Sequence, residues 1–147
     1  MITEDYINNL AARAGIKASI ATVNGYDAAI ALVENARASF PMIIIEDNTS
    51  GVFSAEYGGV DSFAQSIWVM CKVEERTGTT KSQASQQARE LMLSLIRQIM
   101  ADKDSAHEDA VALDVSQIPY FTHNTAIAAG WEAQLTFNEI INLTIYD

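Results

Sequence analysis

The sequence predicts an α+β fold: a sheet with a long amphipathic helix packed on one face, and further helices at the N-terminus. Three stretches carry that prediction. From Phe63 to Glu75, the residues Phe63, Ile67, Val69, Cys71 and Val73 share one parity, which is the period of a strand. From Ala84 to Ile99, the residues Ala84, Ala88, Leu91, Leu95 and Ile99, widened by Met92 and Ile96, recur at helical spacing. From Trp131 onward, Trp131, Ala133, Leu135, Phe137, Ile141, Leu143 and Ile145 alternate with mostly polar residues. At 147 residues, a single domain over 1–147 with one principal core is expected.

Thr3 caps the first helix, Glu4 and Asp5 suit its positive end, and Gly15 stops it; Ile7, Leu10, Ala11 and Ala14 form its apolar face. After the short apolar stretch Ile20 to Val23, Asn24-Gly25 turns the chain. Ala28 to Ala38 then forms a second helix with the stripe Ala29, Ile30, Val33 and Ala36. Phe40-Pro41 closes it, and Met42 to Ile45 has the composition of a buried strand. Asp47 to Gly59 gathers turn-formers and reads as a loop or irregular hairpin. On the middle strand, Trp68 and Met70 make the second face apolar too, so a neighbouring element or chain is expected to cover it.

Thr80-Lys81-Ser82-Gln83 matches a capping box, in which two side chains satisfy orphan N–H groups, and it starts the long helix. Ala101 to Ala129 reads as a long loop, a place for partner contacts. A straight strand from Trp131 to Asp147 would span roughly 55 Å at ~3.3 Å per residue. A domain of this size has a diameter of about 40 Å. Either a bulge at Asn138-Glu139 bends the strand, or its end pairs with another subunit.

Nine basic against nineteen acidic residues give a net charge of −10, which disfavours binding to a phosphate backbone. From Asp104 to Asp147 there are seven acidic residues and no Lys or Arg. The plain explanation is a solvated face; the sharper one is a surface that repels polyanions or docks on a basic partner, with Asp104, Glu108, Asp109 and Asp114 at its centre. No apolar run approaches the ~18 residues that span a bilayer. Met1 leads into an acidic stretch, so no secretory leader is expected, and the single Cys71 forms no intrachain disulfide.

No catalytic constellation is legible. His107 and His123 lack partners at metal-ligand spacing, and although His107 lies beside Glu108 and Asp109, a solvated loop histidine explains it better. Cys71 sits on the apolar parity of a strand and reads as a buried, inert thiol. Gly58-Gly59 matches no phosphate-binding loop, and no serine sits in a nucleophile elbow. Glu46-Asp47 and Glu74-Glu75 fall at strand ends, where solvated charge is ordinary. Trp131 and Tyr120-Phe121 read as core or interface anchors. No enzyme activity, metal or cofactor is expected.

The order of elements resembles the tail-terminator and head–tail joining (neck) proteins of long-tailed bacteriophages: N-terminal helices, a strand after Phe40-Pro41, a long strand near Ile67 to Val73, a capped helix from Thr80, an acidic loop, and a last strand opening with Gly130-Trp131. The resemblance runs from about Asp27 to Asp147 and is one of pattern, without a diagnostic motif. It implies helices on one side of a mostly antiparallel sheet and a homo-oligomeric ring, usually a hexamer. Such a ring would end the tail tube, meet the head connector and let DNA pass without binding it specifically. It also implies a virion location after assembly in the host cytoplasm, and makes residues 1–25 an added oligomerisation element. The subunit contacts expected on that basis are Trp68, Met70, Ile141, Leu143, Ile145 and Tyr146, for which core packing is the competing explanation. The rivals are an α+β binding module, which would show a concave pocket with convergent polar groups, and an acidic nucleic-acid mimic that occupies a basic partner.

Overall fold

The computed structural model describes residues 2–35, 38–55, 59–104, 113–114 and 117–140; of 48–50 and 140 only the backbone is described. Helix α1 (Glu4–Ala14) begins where Thr3 Oγ1 accepts from the Tyr6 amide at 3.2 Å, and ends at Gly15 with φ of 70°. Strand β1 (Ser19–Asn24) follows, then helix α2 (Tyr26–Val33) and strand β2 (Met42–Ser54). Strand β3 (Val60–Lys72), a 3-10 turn (Glu75–Thr77) and helix α3 (Lys81–Asp104) form the middle of the chain. Strands β4 (Tyr120–Asn124) and β5 (Ala128–Ile140) complete it.

Among the described residues five strands form one sheet in the order β1-β2-β3-β5-β4, antiparallel except for the β1–β2 pair. The α+β class with a long helix on a mostly antiparallel sheet is therefore what the chain adopts. The capping box forms as its residue types require: the Thr80 amide donates to Gln83 Oε1 at 3.0 Å, and the Gln83 amide to Thr80 Oγ1 at 3.2 Å. The face of α3 bearing Ala84, Ala88, Met92, Leu95 and Ile99 lies on the odd-numbered side chains of β3 and β5.

A parallel strand pair needs a crossover, and α2 supplies it. It lies on the sheet face opposite α1 and α3, where Ala29 and Val33 pack on Met42, Ile44, Trp68, Met70 and Ala128. The helices are thus on both sides of the sheet, not on one. Trp68 and Met70 are each 0% exposed, so these two side chains are covered by this chain's own crossover and present no surface to another subunit.

The first residues are equally integral. Ile2, Tyr6, Ile7 and Leu10 are buried in the principal core. The Ile2 amide donates to Gln65 Oε1 at 2.7 Å, and Gln65 Nε2 donates to the Ile2 carbonyl at 3.1 Å. Arg13 clamps Asp102 on α3, Nη1 to Oδ1 at 2.8 Å and Nη2 to Oδ2 at 2.7 Å, while the Tyr6 hydroxyl donates to Oδ2 at 2.8 Å. The segment expected to be an added oligomerisation element is part of the domain.

The expected bulge at Asn138-Glu139 is absent: β3 and β5 pair without interruption from Val60–Ile140 to Lys72–Ala128. Glu139 lies opposite Asp61, past the last core residue Phe137 and only partly buried, so its charge needs no bend in the strand. The irregularity falls instead in β2, between Asp47 and Gly51. Of the two readings of the stretch from Asp47, loop or irregular hairpin, the second is what forms: its described part is mostly a hairpin arm, with Ser54 paired to Val60. The supposed loop from Ala101 to Ala129 also begins as helix and contains β4. Among the described residues no helix is long and apolar enough to cross a membrane.

Candidate functional site

Alternation within each strand sets which groups reach the α2 face. On β2 these are Met42, Ile44 and Glu46; on β3, Ser66, Trp68 and Met70; on β5, Ala128, Gly130, Glu132 and Gln134. Strand β4 adds Phe121 and His123, which pair with Glu132 and Gly130. Gly130 makes this packing possible. A Cβ there would collide with the Val69 carbonyl and lie 2.7 Å from Met70 Sδ, so only glycine lets the strands approach and leaves room for a ring on its open side.

That ring is His123. Its imidazole stacks on the Trp68 indole with centroids 4.0 Å apart and planes 3° from parallel. Its Nε2 bonds Glu132 Oε1 at 2.8 Å, a diagonal cross-strand pair in which both side chains are nearly buried. Trp68 Nε1 donates to Glu46 Oε2 at 3.2 Å. Tyr26, in the first turn of α2, lies 5.6 Å from the Trp68 ring and 5.7 Å from His123, and Phe121 meets His123 edge-on at 5.3 Å. The result is an indole–imidazole stack with one carboxylate bonded at each end.

Beside this stack opens a cleft of about 450 Å³, lined by Gly25, Tyr26, Glu46, Asp47, Ser66, Phe121, Glu132 and Gln134. Its size is that of a small-ligand site. Asp47 belongs to the wall, but its carboxylate accepts from Gln65 Nε2 at 2.8 Å, on the α1–α3 side of the sheet. A wider depression of about 710 Å³ around Val73 to Thr77, Lys81 and Ala126 is bordered mostly by exposed side chains of mixed charge and has no buried polar floor.

Burial holds the Glu46 carboxyl above its ordinary pKa; the Trp68 hydrogen bond opposes this, the Glu132 charge adds to it, and His123 partly offsets it. Between the unfolded and folded values the native state holds more protons than the unfolded one. Stability at this site is therefore full at acid pH and falls as pH rises through the folded value. Glu46→Gln keeps an acceptor for Trp68 and removes the charge. It is expected to melt at or above the wild-type temperature at pH 7, with the difference vanishing toward pH 4. Thermal melts across that range measure this, and a variant that is less stable at pH 7 but equal at pH 4 contradicts it.

No protein-family model and no curated protein sequence matches this chain. The site's meaning rests on its own geometry.

Of the residues singled out from sequence, Trp68 is buried beside the cleft and reaches it only through its bond to Glu46, and Met70 is core. Ile141, Leu143, Ile145 and Tyr146 lie outside the described residues, as do Glu108, Asp109 and His107. Asp104 is exposed at the end of α3, and Asp114 follows a segment tied to α3 by Lys103 Nζ, which donates to the Leu113 carbonyl at 2.9 Å. The acidic block therefore has a cation among its described parts in space, though none in sequence. Among the described residues no three His, Cys, Asp or Glu side chains converge as metal ligands. Cys71 is buried, and burial pushes its thiol up to about 11. Trp131 is an anchor, its Nε1 donating to the Ser85 carbonyl at 3.0 Å, and Tyr120 meets its ring edge-on. Glu74 is held below the usual carboxylate range by Lys72, 2.9 Å away on the surface.

Glu46, His123, Glu132, Tyr26 and Phe121 were not seen as a group. A signal existed: Tyr120-Phe121-Thr122 is a run of strand formers followed within a few residues by another strand, the mark of a hairpin. Folding that hairpin with Gly130 opposite His123 places Glu132 two positions along on the same face.

Proposed function

We propose that this chain is a structural subunit that works by assembling with copies of itself, in the manner of the phage tail-terminator and neck rings its element order resembles. The observation that supports this is the outer arm of β2. Strand β1 stops at Asn24, opposite Asp47, while β2 continues with β3 as far as Ser54. The arm carries Val52 and Phe53 at 69% and 58% exposure, two large apolar side chains on a strand edge beyond the end of β1. Such an edge is a template for a further strand, and in a ring each subunit would present it to the next.

Sedimentation and negative-stain imaging of the purified chain test this. Closed rings, reduced to monomers by Val52→Glu/Phe53→Glu with an unchanged melting temperature, are the expected result. A chain that stays monomeric at millimolar concentration, alone and on a tail tube, overturns it.

The cleft favours a second reading, a binding module, because it supplies the concave site with convergent polar groups that such a protein needs. The two readings are compatible, since the arm and the cleft occupy different parts of the sheet.

A further inference from the structure

We infer that the cleft between α2 and β4 binds an organic cation, a guanidinium or ammonium head, between Glu46 and Glu132 and against the rings of Tyr26 and Phe121. This rests on the binding-module reading and goes beyond it by naming the ligand's chemistry; it is independent of ring assembly.

Several observations meet at this place. The cavity has the volume for a small head group and its stem. Glu132 is 4% exposed yet lines the cleft, and His123 engages only its Oε1. Glu46 gives its Oε2 to Trp68. Among the described residues the second oxygen of each carboxylate has no hydrogen-bond donor, and no Lys or Arg lines the cavity. Two carboxylates facing one cleft repel each other, and a cation placed between them would relieve this while donating to both. Tyr26 and Phe121 are 54% and 40% exposed at the rim, where the faces of aromatic rings attract a cation that has shed part of its water. An anion would meet two negative groups, and a neutral apolar ligand would cover the second oxygen of each carboxylate without donating to it. The chain's net charge of −10 draws cations toward it from a distance.

The chemistry has two sources, a side chain of a basic protein or a free amine. Blocked arginine amide stands for the first and putrescine for the second; blocked citrulline amide, which has the same shape without the charge, is the control. Nitrogen–proton spectra of the full chain read the result, because the indole signal of Trp68 lies at the cleft and that of Trp131 lies on the other face, against Ser85. Arginine amide is expected to shift the Trp68 signal and leave that of Trp131 in place. Citrulline amide should bind at least about tenfold more weakly, as should arginine amide to Glu46→Gln, a loss typical of one charge-assisted contact. Glu74→Gln, just before the 3-10 turn and outside the cleft lining, should bind as wild type.

Tighter binding of arginine amide assigns the site to a protein side chain, and tighter binding of putrescine assigns it to a free amine. Equal binding of citrulline and arginine amides keeps the cleft as a binding site and overturns its choice of a cation. If no probe moves Trp68, the cation proposal falls and the binding-module reading loses its support with it. Binding that Glu46→Gln leaves unchanged, with the variant folded, places the cation elsewhere and overturns the proposal.

Discussion

Asp102→Ala is expected to lower the unfolding free energy by about 2–3 kcal/mol: its carboxylate is buried, but the Arg13 side chain it pairs with is one-third exposed and keeps its access to water once the partner is gone. Asp102 is 4% exposed near the C-terminal end of α3, where the helix dipole disfavours an anion. It stays because the Arg13 guanidinium grips both its oxygens and the Tyr6 hydroxyl adds a third bond. Without it, the Arg13 guanidinium loses the carboxylate it clamps and the Tyr6 hydroxyl loses this acceptor, and the N-terminal helix loosens from the core. Urea denaturation measures the loss. Arg13→Met/Asp102→Leu should recover much of it, because an apolar pair of similar volume carries no desolvation cost. A single variant within ~0.5 kcal/mol of wild type would show that the clamp adds nothing.

Trp68→Ala should cost more, ~3–5 kcal/mol, as truncation of a fully buried aromatic does. Trp68 is the largest side chain of the smaller core, packed with Ala29, Val33, Met42, Ile44 and Met70. It is also the surface on which His123 stacks and the donor that holds Glu46. Trp68→Phe separates these roles. It keeps most of the apolar bulk and loses the indole N–H, so its stability should fall by only ~1–2 kcal/mol. Glu46 should then be released from its fixed position, which arginine-amide binding to Trp68→Phe, followed on the His123 ring signals, would record as weakening. Equal stability of Trp68→Ala and wild type would deny that α2 and the sheet share a second core.

The elements easiest to read were those whose pattern and local chemistry agree. Thr3 and Gly15 bound α1 as cap and stop, and Thr80 with Gln83 starts α3, because each satisfies a backbone group within its own turn. The alternation in β3 and β5 was legible because one face lies on α3 along their length. What escaped depends on pairing across distance. Strand β4 was hidden because its residues are mostly exposed and show no apolar parity. The covering of Trp68 was ambiguous because Ile20 to Val23 did not announce a parallel strand, and without β1 there is no crossover to carry α2 over that face. The cleft followed neither from Glu46 nor from Glu132 alone. Each looks like solvated charge until β2, β3, β5 and β4 are set side by side, and only then do the two carboxylates line one cleft, one bonded to Trp68 and the other to His123.

The uninterrupted pairing of β3 with β5 sets the order in which this chain can mature on the ribosome. Lys72 waits for Ala128, and Val60 waits for Ile140, so the middle of the sheet keeps one side bare until nearly all the described chain has emerged. Helix α3 is made in that interval and has only half its platform to settle on. Partners so far apart along the chain form slowly and leave a sticky intermediate in the meantime. Nascent chains stopped before residue 128 should therefore be readily cut by protease or taken up by chaperones, and resistance should arrive in one step once the last strand is released.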